Sequence, residues 1–219
     1  MKKLALVLSF LSLAGTVSAR ADSIVFSNVT DTSFTSGFYT VGQSDGASWS
    51  VDNSFNLSET TTINEVMAGV WVPTGSTLVS AVGGFYTAPD GAVPPLYAAT
   101  VGPISSTPMG TNDGYNLYAE YFDITPVTLG PGTYYLAFLS AITNNNGTPG
   151  YTVGWDIGGS PNNTADQWNN LGAQFSNLSP TTFALYGPGT SPVPEPSSLL
   201  LLGSGAAVLF GAIRRRVKA

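Results

Sequence analysis

The sequence contains no cysteine and no histidine. No disulfide framework is available, and no Cys- or His-based zinc or iron–sulfur site. Ser-His-Asp and Cys-His catalysis are excluded for the same reason. Charge is also scarce: charged residues are 9% of the chain, against roughly 25% in an average soluble protein. The scarcity is one-sided. Between residues 22 and 195 there is no Lys or Arg at all, although all 13 acidic residues fall in that stretch. That region can make no internal Lys/Arg salt bridge. Nucleic acid is excluded as a partner, because phosphate neutralisation needs Lys or Arg. What remains for chemistry is carboxylates, hydroxyls and bound metal. The body of the chain is instead rich in turn formers, with 25 Gly and 15 Pro among 219 residues.

The seven basic residues sit near the two ends, as Lys2, Lys3, Arg20, Arg214, Arg215, Arg216 and Lys218. Lys2 and Lys3 precede an apolar run from Leu4 to Leu13, followed by small residues. This is the order of a secretory signal peptide. Cleavage is expected after Ala21, with Ala19 as the second candidate. Ser197 to Ile213 is an uncharged, Leu- and Ala-rich run. As a helix it spans about 25 Å, just enough for a hydrocarbon core. Arg214, Arg215 and Arg216 follow at once, and such a cluster stays on the cytoplasmic side. The residues between the two apolar runs are then expected outside the inner membrane.

Immediately before the second run stands Val193-Pro194-Glu195-Pro196. Pro188, Pro192, Pro194 and Pro196 hold this approach extended, with φ fixed and no helix possible. Glu195 is the single charge between Asp166 and Arg214. The order of Val193–Pro196, apolar span and arginine tail resembles the PEP-CTERM sorting signal of Gram-negative bacteria. That C-terminal domain is also labelled the ice-binding protein C-terminal domain. The resemblance implies recognition and cleavage near Pro194-Glu195-Pro196 by exosortase, a membrane transpeptidase-like protease of exopolysaccharide-making bacteria. It further implies an inner-membrane-anchored precursor, then delivery to the cell surface or the extracellular matrix.

The middle reads as all-β. Runs rich in Val, Ile, Thr, Tyr and Phe recur between turn residues. Strands are expected near 23–29, 37–41, 47–57, 61–72, 78–86, 96–101, 117–124, 133–142, 151–157 and 182–186. Turns are expected at Pro73-Thr74-Gly75, Pro89-Asp90-Gly91, Asn112-Asp113-Gly114 and Asn145-Asn146-Gly147. Val66 to Val72 is apolar at nearly every position and predicts a strand buried on both faces. Phe183 and Leu185 alternate with Thr182, Ala184 and Tyr186, which predicts one buried face. No helical period is sustained there. A single β-sandwich or jelly-roll-like domain is the expectation. Leu129 to Leu136, with its Pro131-Gly132 turn, is similar to a recurrent piece of sandwich domains that precede PEP-CTERM anchors. The whole chain then divides into a signal peptide (1–21), a β domain (22–187), a Pro-rich linker with the sorting motif (188–196), a transmembrane helix (197–213) and a basic cytoplasmic tail (214–219).

Candidate sites in the β domain are few. Trp155 and Trp168 lie in Gly- and Asn-rich surroundings suited to loops, and are the candidates for glycan stacking. Trp49 and Trp71 are the other tryptophans, with Trp71 expected in the core. Asp156, Asn162, Asn163 and Asp166 offer oxygens that calcium would accept, but no regular Asp-x-Asp loop is present. Glu65, Glu120 and Asp123 fall on expected strands, where a facing pair would be needed for glycoside hydrolysis. No catalytic residue, cofactor or metal is expected. The reading is a non-catalytic exported protein of the cell surface or exopolysaccharide matrix. A glycan- or ice-binding module is the first alternative, with exopolysaccharide or another neutral glycan as partner. A carboxylate glycosidase is the second.

Overall fold

A computed structural model describes residues 22–29, 37–44, 46–89, 92–145, 152–158 and 163–188. The expected signal peptide, sorting motif (Val193–Pro196), membrane-spanning segment and tail (Arg214–Arg216) lie outside the described residues. Among the described residues no helix is long and apolar enough to cross a membrane.

The chain is all-β, as expected. Among the described residues thirteen strands pair antiparallel in one continuous hydrogen-bonded sheet. In chain order they are β1 (Ser23–Ser27), β2 (Phe38–Ser44), β3 (Ala47–Leu57), β4 (Thr61–Pro73), β5 (Leu78–Tyr86), β6 (Tyr97–Val101), β7 (Ser105–Asn112), β8 (Tyr115–Leu129), β9 (Gly132–Thr143), β10 (Val153–Asp156), β11 (Ala165–Asn169), β12 (Gln174–Leu178) and β13 (Phe183–Gly187). The sheet folds over so that two halves face each other. One half holds β1, β13, β4, β8, β7 and β10; the other holds β12, β11, β3, β9, β5 and β6.

Strand β2 is the link. Phe38–Val41 pairs with β10 in the first half, and Gly42–Ser44 pairs with β3 in the second. The crossing point is Gly42, at φ +98. A Cβ there would lie 2.6 Å from the Ala141 carbonyl oxygen. Only glycine permits both the left-handed backbone and that approach.

Period-2 alternation fills the space between the halves. Val66, Ala68 and Val70 of β4 and Phe122 of β8 meet Val51 and Phe55 of β3 and Leu136 and Phe138 of β9 in one buried cluster. Rings bridge the gap: Phe122 and Phe138 are 5.9 Å apart, and Phe55 and Phe183 are 6.1 Å apart in edge contact. Such pairs add roughly 0.5–1.5 kcal/mol each beyond simple burial.

The central strand β4 buries both faces, as its composition predicts. Met67 and Trp71 are buried on the side away from Val66, Ala68 and Val70. The one-face expectation for 182–186 is corrected. Thr182 and Ala184 are buried as fully as Phe183 and Leu185. Ala184 packs with Met67 and Ala119 in a second apolar layer on the outer face, and Thr182 is held by hydrogen bonds described below. The Asp113-Gly114 turn joins β7 to β8, with both residues at positive φ. That is the geometry favoured in two-residue hairpins.

Strands β7, β11 and β12 were absent from the sequence expectation. Their residues are mostly polar and exposed or half-exposed, so no apolar alternation marks them. Among the described residues β7 pairs with β8 alone and β12 with β11 alone, while β11 lies between β3 and β12. These margins are blunted without lysine. β7 carries Pro108 and a register shift beside it. β1 has a register shift between Ile24 and Phe26. β12 contains Asn177 at φ +57. Each device interrupts the regular ladder that a further strand would need.

Candidate functional site

The residues singled out in the sequence fall into two very different places. The first is a buried polar centre in the first half of the sheet. Trp155 of β10 is fully buried and lies 4.5 Å from the Phe138 ring, with Phe183 in edge contact. Its indole Nε1 donates to the Thr182 carbonyl oxygen at 3.0 Å. The expectation of Trp155 as a glycan platform is therefore corrected: no sugar can reach its ring. The surrounding glycines mislead because one of them serves packing. A Cβ on Gly154 would lie 2.1 Å from the Phe38 ring, so the glycine admits a ring beside the strand rather than a loop.

Asp156 follows on the opposite face of β10 and is also fully buried. Trp71 Nε1 donates to its Oδ1 at 2.7 Å, and Thr182 Oγ1 donates to its Oδ2 at 2.8 Å. Burial pushes its pKa up to about 6, and the two donors only partly oppose this. The next residue back, Thr181, is held from two further strands' directions. Asn28 Nδ2 donates to its carbonyl oxygen at 2.6 Å and Asn53 Nδ2 at 3.2 Å. Asn53 Nδ2 also donates to Thr181 Oγ1 at 2.9 Å. The pair Thr181-Thr182 thus knots together β3, β4, β10, β13 and the end of β1. Buried donors and acceptors are expensive to leave unmade, so this knot fixes register.

The calcium candidates do not converge. Asp156 belongs to this centre. Asp166 lies on β11 in the other half, where its Oδ1 accepts from the Asn177 backbone N–H at 2.8 Å. Asn163 is buried nearby, and Asn162 lies outside the described residues. Among the described residues no three acidic side chains form a metal-holding group.

Of the carboxylate candidates, Glu65 and Asp123 come together, directly opposite on β4 and β8. Glu120 is buried, paired across the strand with Ala68 on the core side, and accepts from Ser106 Oγ. Burial raises its pKa, with the Ser106 bond opposing. Tyr186, beside Glu65, is raised to about 12 by burial and then by Tyr121 and Glu65. Between the two halves, a cavity of about 20 Å³ lined by Val66, Phe85, Tyr97, Phe122 and Phe138 is apolar and has room for about one water.

The second place is the β11–β12 ribbon. Trp168 sits there, half-buried, with Ser50 and Gln174 as its cross-strand neighbours. On the other face Asn169 lies opposite Trp49, and Gln167 lies opposite both Val51 and Phe175. Trp49 and Phe175 stack with centroids 6.2 Å apart and planes 23° apart. Phe175 is 50% exposed and Leu171, at the ribbon's turn, is 71% exposed. The sequence reading did not single out Phe175, Leu171 or their asparagines. The available signal was Asn169-Asn170-Leu171-Gly172, a turn between two runs that each carry one large ring. Gly172 takes φ +90 there.

No curated protein and no solved structure matches the chain. Residues 192–216 match the family model of the PEP-CTERM protein-sorting motif. The motif covers the Pro-Glu-Pro element, the apolar run and the arginines, so the chain carries a PEP-CTERM signal that marks an exported protein, anchored by that signal before processing by exosortase.

Proposed function

We propose that the β domain works as a non-catalytic protein of the cell surface or exopolysaccharide matrix after exosortase has removed the sorting signal. The observation that carries this reading is the union of the sorting motif at 192–216 with a domain that has no basic side chain from residue 22 to 195. The acids divide between the faces of the sheet. Glu120 is committed to Ser106 on the core side, while Glu65 and Asp123 are neighbours on adjacent strands. The family description speaks of sorting and not of ice.

Cell fractionation tests the reading. The wild-type protein is expected in the surface or matrix fraction in a shortened form. With Glu195, Pro194 and Pro196 all replaced by alanine, the full-length form should stay in the inner membrane. Equal processing and export of that variant would refute the role given to the motif. Recovery of wild type only in the periplasm would refute the surface or matrix destination.

A further inference from the structure

From the geometry of the β11–β12 ribbon we infer that the Trp49–Phe175 stack is a binding site for a neutral glycan; the inference rests on the surface-or-matrix reading above. Phe175 is half-exposed on a marginal strand, and its ring lies outside the buried apolar clusters. Its stacking on Trp49 fixes the ring plane. A rigid aromatic face with polar neighbours is the feature that a pyranose ring's C–H face packs against.

The polar neighbours are prepared as well. Asn169 Oδ1 accepts from the backbone N–H of Leu171 at 3.0 Å and of Ala173 at 2.9 Å. Asn170 Oδ1 accepts from the Ser48 N–H at 2.9 Å. Because backbone N–H groups can only donate, both oxygens are assigned by their partners. Each amide therefore keeps its Nδ2 donors for an incoming hydroxyl, in an orientation already fixed. Little ordering entropy is left to lose on binding. Asn169 stands directly across from Trp49, so donors and ring belong to one patch.

Charge selects the class of glycan. No cation lies between residues 22 and 195 to hold a uronate, sulfate or phosphate. Asp166 is on the same ribbon. An anionic polymer meets repulsion within a Debye length, about 8–10 Å, whereas hydroxyl groups meet none.

Affinity electrophoresis of the exported protein, in chelator, tests this. The gels carry hydroxyethyl cellulose, soluble starch or galactomannan as neutral polymers, and alginate as the acidic one. At least one neutral polymer should retard wild type, and alginate should not. Phe175→Ala should weaken the retardation about tenfold, the loss of one half-buried ring. Phe175→Tyr should restore it, and Trp168→Ala, on the other face, should leave it unchanged. Each variant's export is read in parallel by fractionation, so failure of the site and failure of the sorting reading are separable. The inference is overturned if no neutral polymer retards the protein, or if Phe175→Ala binds like wild type. It is equally overturned if Trp168→Ala alone abolishes binding, if alginate retards the protein in chelator, or if sedimentation shows a self-association that Phe175→Ala removes.

Discussion

The buried centre around Thr182 and the β11–β12 ribbon are built from the same residue types. Each has a tryptophan, an aspartate and asparagines beside a glycine. In the centre, every one of these is committed inward: Trp71 and Thr182 satisfy Asp156, and Trp155 and Gly69 both donate to the Thr182 carbonyl. In the ribbon, the amide oxygens of Asn169 and Asn170 are taken by backbone N–H groups of the turn and of β3, and Phe175 stays open to water. The difference is position in the sheet. β10 lies between β2 and β4 and its Trp155 rests on Phe138 of the facing half, whereas β11 lies between β3 and β12 and its Trp168 stays outside the buried apolar clusters. Residue type sets what a side chain can do, and cover by the facing half of the sheet decides which of those things it does.

The largest expected effect breaks the centre. Trp155→Ala removes a fully buried ring from between Phe138 and Phe183. It should cost about 3–5 kcal/mol, read as a fall in the urea midpoint.

A smaller effect is that of Asp156, and it depends on pH. Its pKa is about 6 in the fold and roughly 3.9 in the unfolded chain. The folded state therefore holds the proton more tightly. The stability this contributes is fully present below about pH 4 and is lost as pH rises through about 6. A shift of that size is worth about 3 kcal/mol. Denaturation curves across pH 4–7 should show the decline in wild type and a much flatter profile in Asp156→Asn. A wild-type profile that rises over this window would contradict the burial of that carboxylate.

The smallest effect sharpens the comparison from the ribbon's side. Trp168→Ala should lower stability by less than about 1 kcal/mol, since a partly buried ring outside the apolar clusters leaves little cavity. A cost comparable to that of Trp155→Ala would mean the ribbon is structural after all.

Much of the fold was legible. Val66–Val72 reads as doubly buried because nearly every position is apolar, and Asp113-Gly114 reads as a hairpin turn because few other residues accept positive φ. The sites were less legible, for a reason visible at Trp155. Gly154 is there so that the Phe38 ring can lie against the strand, but in sequence it looks like a loop residue. β7, β11 and β12 are hidden in the sequence because their mostly polar residues carry no apolar alternation. Phe175 is therefore seen only once β12 is placed beside β11 and Trp49 beside both.

The blunted margins have a consequence for behaviour in brine or at high density. Many proteins keep strand edges apart with lysine, a guard that weakens as salt accumulates. Here the guards are Pro108, the register shifts of β7 and β1, and the left-handed Asn177. None of these is a charge, so none is screened. Added salt removes the mutual repulsion of an acidic surface and lets copies crowd together, yet along β1, β7 and β12 it supplies no unbroken row of N–H and C=O groups on which they could zip. At those three edges crowding does not lead on to strand pairing.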